Sequence, residues 1–349
     1  MKNVFILLLA LAVIFSACQK KINNLILKNE FVAFTFEEGT YSLNGLTDQK
    51  TQKEHFFLQS TSEGLWQISF SKQGQIINAT NKLSQEAKGV IKKNKKGQTL
   101  TITWDDLTLP ELKNVKVEVV VNLPNQSGIA DWHLNVINDS KEWGLSEVSF
   151  PKISGFLDST NYDIFGTLGH RDGRSETWGS LYKGYNERLN LRYPDGWGAM
   201  SMQFLGANSG TNGVYMATHD PQAWKKDFII EPGNEFFINV YAENMGVPGS
   251  DFTDPFPFMF GVFQGDWLTA AKLYRKFALT APWTVKGKVS EATSTPQSFK
   301  DAALWMRGWE YPVSEPEDYQ KKLAEWKNAL EFFGVPLGFH WYNWNIYPF

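Results

Sequence analysis

Residues 336–349 read PLGFHWYNWNIYPF, an apolar start that ends in polar and aromatic groups. That is the pattern of a buried strand opening onto a site. Upstream of it, Tyr319, Leu323, Trp326, Leu330 and Phe333 step by four, three, four and three residues, a one-sided helical stripe. Residues 314–317 fit a capping box with Pro316 in the first turn, and Gly334 is placed to end the helix. Residues 303–310, ALWMRGWE, form a short apolar run with the β-favouring pair Trp305 and Trp309. Strand, helix, strand is one βαβ unit, and a right-handed crossover makes its strands parallel. A parallel pair needs both faces covered. The nearest complete architecture is an eight-fold β/α barrel of about 250 residues, of which this stretch would supply about a fifth. The expectation is an incomplete TIM-type barrel, with Phe349 as a point of truncation.

Working outward, residues 265–283 read GDWLTAAKLYRKFALTAPW. Asp266 is a candidate N-cap, Trp267, Ala271, Tyr274 and Ala278 follow at helical spacing, and Pro282 closes the segment. Residues 280–298, rich in Pro, Thr, Ser and Lys, have the composition of a linker.

Before this helix the pattern is of strands. Residues 30–36 alternate, followed by 41–43 and the turn dipeptide Asn44-Gly45, which predicts a hairpin. Residues 66–70, 100–104, 115–122, 129–137, 200–204, 213–218 and 235–240 have period-two or β-branched character. Turn signals at 94–97, 124–128 and 194–196 separate them, and no useful helical period appears before residue 260. The fold class is therefore mainly β: a large antiparallel β-sandwich, a linker helix, then the first βαβ unit of a barrel. The domains run 1–18 (signal), 19–262 (sandwich), 263–298 (helix and linker) and 299–349 (barrel start).

A hydrophobic fraction of 42% against 20% charged residues gives a chain of 349 residues a substantial core. The formal net charge of −3 offers no electrostatic footprint for a phosphate backbone, which argues against nucleic acid as a partner. Residues 1–18, with Lys2, an apolar run at 4–15 and small residues before Cys18, form a secretory signal too short for a spanning helix. Residues 15–18, FSAC, resemble a bacterial lipoprotein box, although Phe is less usual than Leu at its start. Cys18 is the chain's one cysteine and the expected lipidation site. The localisation expected is the cell envelope, periplasmic or outer surface, held by a lipid anchor alone. The five histidines lack metal-ligand spacing; a calcium ion between domains is left open with no spacing behind it.

The order of these parts resembles bacterial glycoside-hydrolase-like lipoproteins, a family still named as a domain of unknown function. In them a galactose-mutarotase-like super-sandwich precedes a (β/α)8 barrel. The residues that carry the resemblance are Tyr193-Pro194, Met202-Gln203-Phe204, GVYMATHD at 213–220, Asp266-Trp267, Tyr274-Arg275 and HWYNWN at 340–345. The resemblance implies a carbohydrate partner and a pair of catalytic carboxyls on later barrel strands, which leaves the catalytic residues of this chain unassigned. Barrel-strand ends form the active-site face, so Glu310, His340, Asn343, Trp344 and Asn345 are the candidate sugar contacts. Trp344 offers an apolar platform beside planar hydrogen-bonding groups; the competing reading makes the aromatic residues core. Asp220, with Lys225 or Lys226, is a further candidate reaching towards the barrel mouth, against a plain turn-capping role. The polar stretch at 170–174 is a solvated loop or a cleft projection. The functional expectation is the N-terminal portion of a secreted glycoside hydrolase acting on oligo- or polysaccharide, inactive alone; the alternative is a non-catalytic glycan-binding surface lipoprotein.

Overall fold

The computed structural model describes residues 24–57, 64–153, 162–168, 188–194, 200–231, 235–309 and 316–342. The chain divides into two compact units, one up to Phe277 and one from Ala278 onward.

The first unit begins with β1 (Asn24–Lys28), β2 (Val32–Glu37), β3 (Leu43–Asp48) and β4 (Lys53–Phe57). Then follow β5 (Gln67–Lys72), β6 (Gln75–Thr80), β7 (Ser84–Lys93), β8 (Gly97–Leu107), β9 (Val115–Pro124), β10 (Ile129–Asn138) and β11 (Gly144–Ser149). The remainder are β12 (Asp163–Leu168), β13 (Leu189–Tyr193), β14 (Met200–Asn208), β15 (Asn212–Thr218), β16 (Lys226–Glu231), β17 (Glu235–Tyr241), β18 (Phe252–Thr253) and β19 (Phe258–Gln264). β1 to β4 form a four-stranded meander. A nine-stranded sheet runs β12-β14-β15-β19-β10-β9-β8-β7, with β18 also paired to β10. A six-stranded sheet runs β13-β16-β17-β11-β5-β6. The pairings within these three sheets are antiparallel, so this unit is the mainly-β body that the alternating pattern predicts.

Period-two alternation explains the core. On β9, Val115, Val117, Val119, Val121 and Leu123 are buried while the residues between them are less so. Trp132 on the neighbouring β10 joins all three sheets: its ring lies 5.4 Å from Phe34 of β2, 5.8 Å from Phe260 of β19 and 6.3 Å from Phe150, which follows β11. Edge-on contacts at these separations add to the area each ring removes from water.

Alternation gives way to near-continuous burial on β14, β15, β16 and β17. Every residue of β15 is buried, because a helix covers the sheet face that the sandwich core does not. That helix is α1 (Trp267–Ala278). Its start is set by Asp266, whose Oδ1 accepts the N–H groups of Leu268 and Thr269 at 3.1 and 3.2 Å. The preceding Gly265 has φ +121°, and a Cβ there would meet Thr269 Oγ1 at 2.3 Å. The buried face of α1 is Ala270 and Tyr274 rather than the stripe through Trp267 and Ala271, because the helix rests on β14 and β15 through Tyr274. The Tyr274 ring lies 5.2 Å from Phe204, and Phe277 stacks on His219 at 4.6 Å.

One local expectation is corrected. Asn44-Gly45 lies inside β3, opposite Thr35, at a bulge where a Cβ on Gly45 would sit 3.3 Å from Thr35. The reversal between β2 and β3 is at residues 38–40, where Gly39 has φ +97°. Residues 258–264, apolar up to Phe263, form a central strand that alternation could not distinguish.

The second unit holds α2 (Gln297–Asp301), β20 (Leu304–Trp309), α3 (Pro316–Phe333) and β21 (Leu337–Tyr342). α2 begins at the end of the stretch expected to be linker, at 297–298, and runs on into the segment expected to open the barrel. β20 and β21 pair in parallel, Leu304 opposite Leu337, as the βαβ pattern predicts. Trp326 of α3 stacks on Phe339 at 4.8 Å, and Gly334 at φ +62° ends the helix. Leu323, Leu330 and Phe333 of the same stripe are exposed, as are Leu304 and Trp305. Among the described residues no helix is long and apolar enough to cross a membrane.

Burial also fixes a pH dependence. His55 is fully buried on β4, its Nδ1 2.9 Å from the Tyr162 hydroxyl, and burial lowers its pKa to about 4. The folded state thus holds His55 neutral while the unfolded chain takes a proton near pH 6.5, so this group removes stability as pH falls from 6.5 to 4. Asp254 and Glu147, whose carboxyls are raised by burial, act in the opposite sense, so a difference measurement is needed. In urea unfolding at a series of pH values, wild type is expected to lose stability more steeply than His55→Gln across that window, by up to about 1.4 kcal/mol per pH unit. Parallel curves would refute the assignment.

Candidate functional site

Asp220 follows β15, the strand that burial pins on both sides, and is itself fully buried. Its Oδ1 accepts the Gln222 N–H at 2.8 Å; its Oδ2 accepts the Trp224 N–H and the Lys226 ammonium, each at 2.6 Å. Lys226 Nζ also donates to Gln203 Oε1 at 3.0 Å and lies 4.3 Å from the Phe256 ring centroid and 5.0 Å from that of Tyr193. Gln203 closes the network, accepting from the Thr218 hydroxyl at 2.7 Å and donating to the Asp220 carbonyl at 2.9 Å. Burial lowers the Lys226 pKa to about 8, against the pull of Asp220. Every polar atom of this carboxylate is occupied from within, and Asp220 caps its turn and neutralises Lys226 with no face turned to solvent. A charge stranded in such a place is costly, about 3 to 5 kcal/mol when one partner is removed. Asp220→Ala is therefore expected to lower the denaturation midpoint more than the double change Asp220→Ala with Lys226→Met, which removes both charges. The reverse order in chemical denaturation would sink this reading.

The other sequence candidates separate. His340 lies on β21 and is exposed. Glu310, Asn343, Trp344, Asn345, Cys18 and the polar stretch at 170–174 lie outside the described residues. Lys225 neighbours a different group, 4.3 Å from the Tyr241 ring centroid.

That contact belongs to a polar face of the six-stranded sheet. Strand register sets Arg192 opposite Asp227, Asp227 opposite Asn239, Asn239 opposite Ser149, and Ser149 opposite Gln67, one row across five strands. The adjacent row contains Tyr241, Glu147 and Ser69. The intervening residues Phe228, Ile238, Val240 and Val148 point the other way into the core. Within the face, Arg192 Nε donates to Asp227 Oδ1 at 3.2 Å and the Tyr241 hydroxyl donates to Asp227 Oδ2. Ser149 Oγ donates to Asn239 Oδ1 at 2.7 Å.

The electrostatics are those of a site. Asp227 is 1% exposed and half-exposed Arg192 reaches over to it. Burial raises the Glu147 carboxyl above its ordinary range; Arg188 and Lys225 pull it down and Asp227 pushes it up. Burial, then the bond to Asp227, raises the Tyr241 phenol. A phenol bonded to one carboxylate and coupled to a second carboxyl that burial raises, flanked by an amide row and two cations, can hold a hydroxylated ligand. Sequence inspection missed these residues because a polar period of two on a strand also describes any solvated sheet face. Only the register collects them.

The chain is similar to glycoside hydrolases. A family described as a domain of unknown function (DUF6259) matches residues 252–349. A protein of Bacteroides thetaiotaomicron named "Putative glycoside hydrolase" is 24% identical over 344 residues, 93% of this chain. The chain spans 46% of that protein's length. Among solved structures, an α-N-acetylgalactosaminidase from Bifidobacterium bifidum superimposes with a TM-score of 0.55 at 9% identity, covering 92% of this chain and 51% of its own, a likeness of fold. A galactose mutarotase related enzyme from Lactobacillus acidophilus matches 69% of this chain and 97% of its own, with a TM-score of 0.42.

Proposed function

We propose that this chain forms the sandwich and the barrel entry of a glycoside hydrolase acting on oligo- or polysaccharide, and that the polar face of the six-stranded sheet binds sugar. The observation that carries this is the Asp227-Tyr241-Glu147 cluster beside the Asn239-Ser149-Gln67 row. Hydroxyl groups of a sugar need acceptors and donors at close spacing beside a ring, and this face supplies both. Similarity across most of the chain to a protein named as a glycoside hydrolase supports the reading. So does the parallel β20-β21 pair, the arrangement with which a β/α barrel begins.

On this reading the bond-cleaving carboxyl pair belongs to barrel strands beyond β21, with Glu310, Asn343, Trp344 and Asn345 on the same rim as sugar contacts. Residues 19–349 then bind glycan without cleaving it. In a glycan array, that protein is expected to retain at least one class of oligosaccharide, and Tyr241→Phe or Glu147→Gln is expected to weaken it at least tenfold with the thermal midpoint little changed. Unaltered retention by both variants would remove the sheet face from the proposal.

The reading also places the mature protein in the cell envelope, tethered through a lipidated Cys18. Full-length chain expressed in a lipoprotein-processing bacterium is expected in the detergent-soluble membrane fraction, and Cys18→Ser in the soluble fraction. Equal partition of the two would count against the anchor.

A further inference from the structure

Alternation puts Glu231 and Glu235 on the same side of the six-stranded sheet as Asp227 and Asn239. Each of these carboxylates has a cation: Asp227 has Arg192, Glu231 has Arg188 at 3.0 Å and Glu235 has Lys152 at 2.9 Å. Glu147, on the same face, has none. It is half-buried, makes no hydrogen bond or ion pair among the described residues, and keeps both oxygens open to solvent. Water or a ligand must satisfy such a group.

Lys225 is its counterpart. It is exposed just before β16, with its ammonium 4.3 Å from the Tyr241 ring centroid and no hydrogen-bonding or ion-pair partner among the described residues. Tyr241 joins the two, because register sets it directly opposite Glu147 while its ring carries Lys225. Burial raises the Glu147 carboxyl, Arg188 lowers it, Asp227 raises it and Lys225 lowers it, so the field of Lys225 reaches Glu147 although they close no ion pair. The backbone around Lys225 is held on both sides, since Asp220 Oδ2 accepts the Trp224 N–H and the Lys226 ammonium at 2.6 Å each. Less ordering is then lost when a ligand binds.

A group that bridges the pair must donate to the carboxylate and accept from the ammonium. An anion would meet Glu147 and Asp227, and a cation would meet Lys225 and Arg192, so a net charge of either sign is repelled on one side. Neutral hydroxyls are not, and two on adjacent carbons donate and accept at once.

We propose that Glu147 and Lys225 read a vicinal diol of a neutral sugar, one hydroxyl donating to the Glu147 carboxylate and its neighbour accepting from the Lys225 ammonium. This rests on the reading that the sheet face binds sugar, and adds to it the class of sugar and a contact residue, Lys225.

The test is calorimetric titration of the full chain with maltohexaose, cellohexaose and mannohexaose, whose internal residues carry their vicinal diol at the 2- and 3-positions, and with trigalacturonate as an anionic probe. Saturable binding of at least one neutral probe is expected, with trigalacturonate weaker. That affinity is expected to hold from about 0.1 M to about 1 M salt, because no net charge is bound. Lys225→Met is expected to weaken it by about tenfold or more, the worth of a hydrogen bond to a charged group, and Lys225→Arg to retain most of it. Methylating the 2- and 3-hydroxyls of the bound probe is expected to abolish binding. Circular dichroism melts confirm that each variant is folded. The proposal is overturned if wild type binds none of the neutral probes, if trigalacturonate binds more tightly than all of them, or if the methylated probe binds as its parent does. It is also overturned if Lys225→Met binds as wild type does; should Tyr241→Phe still be weakened there, the sheet face binds sugar without this pair. Equal binding by wild type, Tyr241→Phe and Glu147→Gln removes the sheet-face reading and this proposal with it.

Discussion

The constraint on which the sandwich depends is that β15 is buried on both faces. A strand in that position needs two covers, and the chain supplies them from distant segments. Val214 and Met216 face the core shared by the sheets, while Tyr215 and Ala217 lie on the side where Phe204, Tyr274 and Phe277 gather. α1 therefore belongs to the sandwich energetically, although its sequence follows the last strand. Asp220 inherits its position from this arrangement, at the end of β15.

A sheet with one face in the core ordinarily turns its other face to water, and polar residues there carry no meaning beyond solubility. The face formed by Arg192, Asp227, Asn239 and Ser149 differs because Asp227, Asn239 and Ser149 are buried. Burial raises the free energy of any polar group that lacks a partner, so these side chains must bond to one another or to something that enters. They do bond to one another, which accounts for their order. The raised Glu147 carboxyl and the half-exposed guanidinium of Arg192 are less economically explained by order alone.

Much of the fold was legible in the sequence. The strands through 115–122 and 129–137 and the βαβ segment follow from periodicity, since side-chain alternation and one-sided stripes are direct consequences of which face is buried. What failed did so where tertiary packing overrode a local signal. Asn44-Gly45 has the chemistry of a turn but sits in a bulge, and α1 buries Ala270 because a sheet lies on that side. For the site, the sequence offered Asp220 as a turn cap or as a partner of Lys225 or Lys226, and the fold shows the cap, selects Lys226 and adds Gln203. The rows through Asp227 and through Glu147 were invisible for the same reason: they exist across strands and not along the chain.

Asp220 and Asp48 have the same chemistry and the same burial, and they differ in what surrounds the last oxygen. Asp220 accepts two backbone N–H groups and an ammonium, and the rings of Phe256 and Tyr193 close around that ammonium. Nothing is left for a ligand to do there. At Asp48 three donors converge on one oxygen and, among the described residues, none on the other. Asp48 therefore carries the cost of a bare buried oxygen that Asp220 avoids.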